Sequence, residues 1–157
     1  MTTCGIQLSG DAQRGFTLIE LIAVVVILGV VVAVAAPRFF GTAVFSERGY
    51  ADEIAASLRY ARRIAVASAC NVRFTVNGAG YNATQPTVRC NTGGPWDVAV
   101  LAPDRSPLAN ATPANVAVGA AVIEFRATGD LVNPIAPLNV GAFSVTVNSA
   151  TGAVTVQ

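Results

Sequence analysis

Residues 16–36 form an apolar run of 21 positions in which Glu20 is the sole charge. As a helix rising ~1.5 Å per residue, the run would reach about 31 Å. The hydrocarbon core of a bilayer is about 30 Å thick, so the segment is predicted to be a membrane-spanning helix. Between positions 21 and 36 nothing is charged or strongly polar. A carboxylate so near the start of a spanning helix costs roughly 2.5–3.5 kcal/mol if it sits at depth. Glu20 therefore calls for a cationic partner, or for escape to the headgroups.

The preceding residues 1–15 are polar, with Asp11, Gln13 and Arg14, and contain no apolar region of their own. A cleaved secretory signal has a basic start, a short apolar core and a small-residue cleavage site after that core. Residues 33–36 are small enough for such a site, but the run is long for a cleaved signal and leads into a helical pattern. The reading is a retained anchor, with Arg14 and the leader on the cytoplasmic side by the positive-inside rule.

The chain has 157 residues, is 53% hydrophobic and carries a net charge of +1, which is no nucleic-acid signature. Leader and anchor leave room for one small domain. Histidine is absent, and all ten basic residues are arginine. No histidine general base, Ser-His-Asp triad or histidine metal site can exist here. Of the nine acidic residues, Asp11 and Glu20 belong to leader and anchor, and the spacing of the others suggests no metal cage. Neither catalytic residues nor a cofactor is expected.

Pro37 ends the apolar run. Proline removes a helical hydrogen bond and clashes with the preceding turn, so a kink is predicted near residues 33–37. Over residues 45–69 the pattern is amphipathic, with Tyr50, Ile54, Leu58, Ala61 and Ala65 recurring at helical spacing. One long helix continuing from the membrane is predicted. Its cluster Arg59, Arg62 and Arg63 reads as a solvated face, or else as a contact patch for an acidic partner or nucleic acid. Past Cys70, Val72, Phe74 and Val76 alternate before a turn at residues 77–80. Further strands are expected at 81–84, 88–90, 98–101, 116–118 and 122–126, with a loop at 102–114. Phe143, Val145 and Val147, then Val154 and Val156, form a terminal hairpin. A helix followed by an antiparallel sheet makes the fold class α+β.

The stretch Gly15-Phe16-Thr17-Leu18-Ile19-Glu20, set before a long apolar helix, resembles the cleavage and methylation motif of type IV pilins and type II secretion pseudopilins. The resemblance implies a type IV pilin-like fold: a leader (1–15), a transmembrane and fibre-core helix (16–37), a periplasmic amphipathic helix (38–69) and a β-rich domain (70–157). It implies that prepilin peptidase cuts between Gly15 and Phe16 and N-methylates Phe16. Glu20 would neutralise the cationic amine of a neighbouring subunit, and a proline at the place of Pro37 is common in the family. Other pilin or pseudopilin subunits, an inner-membrane assembly platform and membrane lipid are the implied partners. The implied location is the bacterial inner membrane, single-pass with the C-terminal domain in the periplasm, and then the pilus or pseudopilus.

Ser57-Leu58-Arg59-Tyr60-Ala61-Arg62-Arg63-Ile64-Ala65, Phe125-x-x-x-Gly129 and Thr151-Gly152-Ala153-Val154 are similar to the GspH/FimT branch of minor pilins and pseudopilins. Ala36-Pro37-Arg38-Phe39-Phe40, Glu47-Arg48-Gly49 and Ala67-Ser68-Ala69-Cys70 look closest to minor pilins of mannose-sensitive haemagglutinin-type pili. Some members that bind DNA for uptake carry a basic Gly-Arg-x-Arg element near the C-terminus. Here Gly152-Ala153-Val154-Thr155 is uncharged, which argues against that alternative. Cys4 would leave with the leader. Cys70 and Cys90 remain as an even pair on the exported side, where disulfides persist, and a bridge is favoured over two free thiols.

Overall fold

The computed structural model describes residues 16–39, 42–91 and 94–157. The chain divides into two compact units, residues 1–40 and 41–157. The first contains helix α1, Leu18–Phe39. Its start is capped locally: the Glu20 amide donates to Thr17 Oγ1 (3.3 Å) and the Leu21 amide to the Thr17 carbonyl (3.2 Å). A threonine oxygen thus meets an amide that the first helical turn would leave bare. Twenty-two residues of helix correspond to about 33 Å. The helix runs through position 37, and the side chains of residues 33–39 lie outside the described residues. No helix among the described residues is long and apolar enough to cross a membrane.

The second unit joins helix α2, Thr42–Ser68, to two antiparallel sheets. Residues 40 and 41, which would make one helix of α1 and α2, lie outside the described residues. The predicted stripe is the buried one: Tyr50, Ile54, Leu58, Ala61 and Ala65, widened by Ala51 and Ala55. Four alanines on this face let the strands approach closely. The end of α2 is a Schellman cap, in which the Cys70 amide reaches the Ala65 carbonyl (3.2 Å) and the Ala69 amide the Val66 carbonyl (3.4 Å). Ala69 takes the left-handed conformation there, at φ 51°.

The larger sheet contains β1 (Val72–Asn77), β2 (Gly80–Gln85), β3 (Val98–Ala99), β4 (Ala109–Ala111) and β5 (Ala121–Phe125). Its order is β3-β2-β1-β5, with β4 also pairing to β2. Val72, Phe74 and Val76 on β1 and Ile123 and Phe125 on β5 turn inward against α2. The smaller sheet, β6-β7-β8, contains β6 (Leu138–Val140), β7 (Phe143–Val147) and β8 (Val154–Val156). It closes the same core with Leu138, Val140, Val145, Val147 and Val154. This is the α+β arrangement expected.

Four local expectations change. Residues 116–118 form no strand, and only Val118 bridges, to Val140. Residues 88–90 are not a strand, since Arg89 adopts φ 63° and the segment turns into the disulfide. The expected loop at 102–114 contains β4, whose Asn110 donates to Glu53 Oε1 on α2 (2.6 Å). Strand β6, unforeseen, supplies the partner for the hairpin at 143–156.

Candidate assembly site

Phe16 is the first described residue and is 81% exposed. Gly15, the other half of the expected cleavage site, lies outside the described residues, as do Cys4 and the side chain of Pro37. Glu20 stands in the first turn of α1 and is exposed. Among the described residues its carboxylate has no hydrogen-bond or ion-pair partner. A negative charge is favoured at a helix N-terminus, and Thr17 occupies the amide of Glu20 while leaving its carboxylate open to a partner outside the chain. The Thr17-x-x-Glu20 spacing is that of a capping box, of which only the threonine half is made here, since the Glu20 carboxylate does not return to the Thr17 amide. Leu18, Ile19, Leu21, Val25, Ile27, Leu28, Val30 and Val32 are all more than half exposed. A helix apolar on every side needs lipid or other helices around it.

Within the second unit, the arginine cluster of α2 does not form one patch. The Arg59 guanidinium donates to the Val154 carbonyl (2.9 Å), and Arg62 Nε donates to the Gly129 carbonyl (2.9 Å). Only Arg63 stays exposed without a hydrogen-bond partner among the described residues. The expected solvated face is thus partly a clamp on the terminal strand and on the turn after β5. Gly129 (φ 88°) and Gly152 (φ 65°) form the seat of this clamp. A Cβ on Gly152 would collide with the Gly129 carbonyl and with Arg62. Gly152→Ala is therefore expected to destabilise the unit by at least about 2 kcal/mol, through left-handed strain and steric conflict together. Thermal unfolding compared with wild type measures it.

A polar network fixes β2 and β4 on α2. Ser57 Oγ donates to Tyr81 Oη (3.0 Å), and Tyr81 donates to Glu53 Oε1 (2.8 Å). Burial pushes the Tyr81 phenol up to about 12, with the Ser57 hydrogen bond opposing and Glu53 reinforcing. Tyr50 meets Thr112 Oγ1 at 3.1 Å. On the turn after β5, hydrogen bonds from Thr128 and then Arg126 hold Asp130 below the usual carboxylate range. These groups lock loops to helix. Tyr81 and Asn110 also line an open surface cleft of about 520 Å³ beside β2 and β4, and Arg126 and Thr128 line one of about 270 Å³. Cys70 and Cys90 are joined by a disulfide, with Cα atoms 4.4 Å apart. It ties the cap of α2 to the segment between β2 and β3. Among the described residues no group of three or more His, Cys, Asp or Glu side chains could hold a metal ion.

A capped apolar helix with an open glutamate, ahead of a helix packed on antiparallel sheets, defines a pilin-like chain. Residues 11–36 match the prokaryotic N-terminal methylation motif. Residues 50–157 match the family model of the type II transport protein GspH, and the chain belongs to that family. It is also 45% identical over 56 residues to the type IV narrow pilus major component PilA5 of Thermus thermophilus. That similarity covers 36% of this chain and 48% of PilA5, so the chain spans about half the length of this curated relative. No solved structure matches it.

Proposed function

We propose that this chain is a structural minor pilin or pseudopilin, assembled into a type IV pilus or a type II secretion pseudopilus. The observation that carries the reading is a methylation motif and a GspH domain on one chain, at residues 11–36 and 50–157. Prepilin peptidase removes residues 1–15 and methylates Phe16. Residues 16–37 then anchor the protein in the bacterial inner membrane, with the sheets in the periplasm. The assembly platform draws the subunit from lipid into the fibre, where the apolar surface of α1 exchanges lipid for neighbouring helices. Pro37, which disrupts a helical hydrogen bond, is a place for α1 to bend during that transfer.

As the subunit leaves the headgroups, Glu20 neutralises the amine of an adjoining subunit. DNA uptake finds little support in a net charge of +1 and in an arginine cluster largely bonded to backbone carbonyls. An enzymatic role finds none in the polar networks of the second unit.

Processing supplies the test. Gly15 presents no side chain to the peptidase, and Gly15→Val should block the cut. The variant is expected to accumulate about 15 residues longer than the mature chain by intact mass. Maturation at the wild-type rate would refute the assigned site.

A further inference from the structure

Among the asparagines of the chain, Asn77 alone is followed by glycine. It ends β1, and Gly78 and Ala79 form the exposed tip of the β1–β2 hairpin. Attack of the next residue's nitrogen on an asparagine amide carbon closes a cyclic imide. A side chain on that next residue obstructs the approach, and glycine has none.

The fold does not call for glycine at position 78. Its φ is not positive, and a Cβ added there would meet nothing within 4 Å. Gly80 differs, since at φ 152° its Cβ would collide with the Asn110 carbonyl. Packing requires the second glycine of this turn and leaves the first one free.

The Asn77 side chain is held ready for that attack. Its Oδ1 accepts from the Ala79 amide at 2.9 Å, which fixes the carboxamide against the turn. The same N–H would stabilise negative charge gathering on that oxygen during the attack. The Gly78 amide has no hydrogen-bond partner among the described residues. Other exposed asparagines are tied down. The Ala111 amide, which would have to attack Asn110, already donates to Asn110 Oδ1 at 2.9 Å, and Asn110 Nδ2 is bound to Glu53. Asn148 precedes a serine, and its Oδ1 is gripped by the Ala150 amide and by the amide and hydroxyl of Thr151.

We propose that Asn77 is a site of spontaneous self-modification, converting to aspartate and isoaspartate through a cyclic imide with Gly78. The Gly78 nitrogen gives its proton to water and bonds to Asn77 Cγ. The Cγ–Nδ2 bond breaks, and Nδ2 takes up a proton and leaves as ammonia. One water then opens the imide at either carbonyl, so the net reaction consumes water and releases ammonia. Each conversion adds a carboxylate to the cleft that Asn77 lines together with Asn110. The isoaspartate product also lengthens the main chain of the turn. That turn seats Thr112, whose hydroxyl donates to the Asn77 carbonyl (3.4 Å) and whose amide donates to the Ala79 carbonyl (3.1 Å). Thr112 also meets Tyr50 of α2, so the altered turn disturbs the segment after β4.

The test ages the purified, detergent-solubilised full chain at neutral and mildly alkaline pH and maps its peptides over time. The Asn77 peptide should gain the mass difference between an amino and a hydroxyl group, while the Asn110 and Asn148 peptides keep theirs. Conversion should be faster at the higher pH, because the Gly78 nitrogen attacks once its proton is lost. A protein isoaspartate methyltransferase should label the chain increasingly with age. Gly78→Ala should slow conversion at least about tenfold, with thermal unfolding like that of the fresh wild type. The wild-type time course reports even if Gly78→Ala fails to fold. An Asn77 peptide of unchanged mass overturns the inference, as does conversion of Asn110 or Asn148 ahead of it. Conversion of Gly78→Ala at the wild-type rate overturns it as well.

Discussion

Glu20→Ala is expected to be inserted and cleaved like wild type, yet to fall at least about tenfold in sheared fibres relative to the inner membrane. Helix α1 does not need the carboxylate, because its first-turn cap is formed by Thr17 Oγ1 and the amide of residue 20. The sheets belong to a different compact unit from Glu20, and none of their hydrogen bonds among the described residues involves it. What the substitution would remove is the proposed pairing with a neighbour's amine. At an effective dielectric near 20, opposite charges about 4 Å apart attract by ~4 kcal/mol, and each 1.4 kcal/mol is about tenfold in an equilibrium. Side-chain ordering offsets part of that attraction, so tenfold is a lower figure. Glu20→Gln keeps shape and hydrogen bonding without charge, and should be depleted nearly as much. Quantifying membrane level, cleavage and fibre incorporation for both variants checks this. If both enter fibres at wild-type levels, the pairing does not operate.

Cys90→Ser is expected to cost the second unit about 3 kcal/mol, from the closure entropy of a loop spanning a 20-residue separation. For a unit of this size the melting temperature should fall by about 10–15 °C. The bridge acts where two local structures meet. Cys70 closes the Schellman cap of α2, and the Cys90 carbonyl accepts from the Asn71 amide at 2.8 Å. Without the covalent tie, only hydrogen bonds, that one and the Asn91 side-chain amide to the Ala69 carbonyl (3.2 Å) among them, hold the 86–91 segment near the helix end. Thermal unfolding of the detergent-solubilised chain, with and without reductant, measures the effect. Reductant should bring wild type down to the variant and leave the variant unchanged. Equal melting of wild type and variant in oxidising buffer would contradict the prediction.

Legibility from sequence follows the range of the interactions involved. The stripe Tyr50, Ile54, Leu58, Ala61 and Ala65 is visible because helical burial repeats within a turn, and β1 is visible because its burial alternates. Strand β4 is hidden because Ala109, Asn110 and Ala111 have weak strand preference and sit between Pro107 and Pro113. Pairing with β2 and the bond from Asn110 to Glu53 make it a strand, and both are distant in sequence.

Residues 88–90 mislead in the opposite sense. Their valine suggests a strand, but the disulfide and the left-handed Arg89 turn the backbone away. At the amino end, Glu20 stands out as a lone charge in an apolar run, while the Thr17 cap on its amide rests on a three-residue spacing that hydropathy does not show. Gly129 and Gly152 are readable as family residues. Their physical role, a close seat for Arg62, appears only when two turns far apart in sequence meet.

The central claim is that this chain is cut at Gly15, methylated at Phe16 and built into a fibre. Fibres sheared from cells and washed free of membrane can be analysed by intact mass for this subunit. The account predicts one species that begins at Phe16, carries a single added methyl group, and is two hydrogens lighter than its reduced form because of the Cys70–Cys90 bridge. A chain that retains residues 1–15, or one found only in the inner membrane while fibres are abundant, would contradict it.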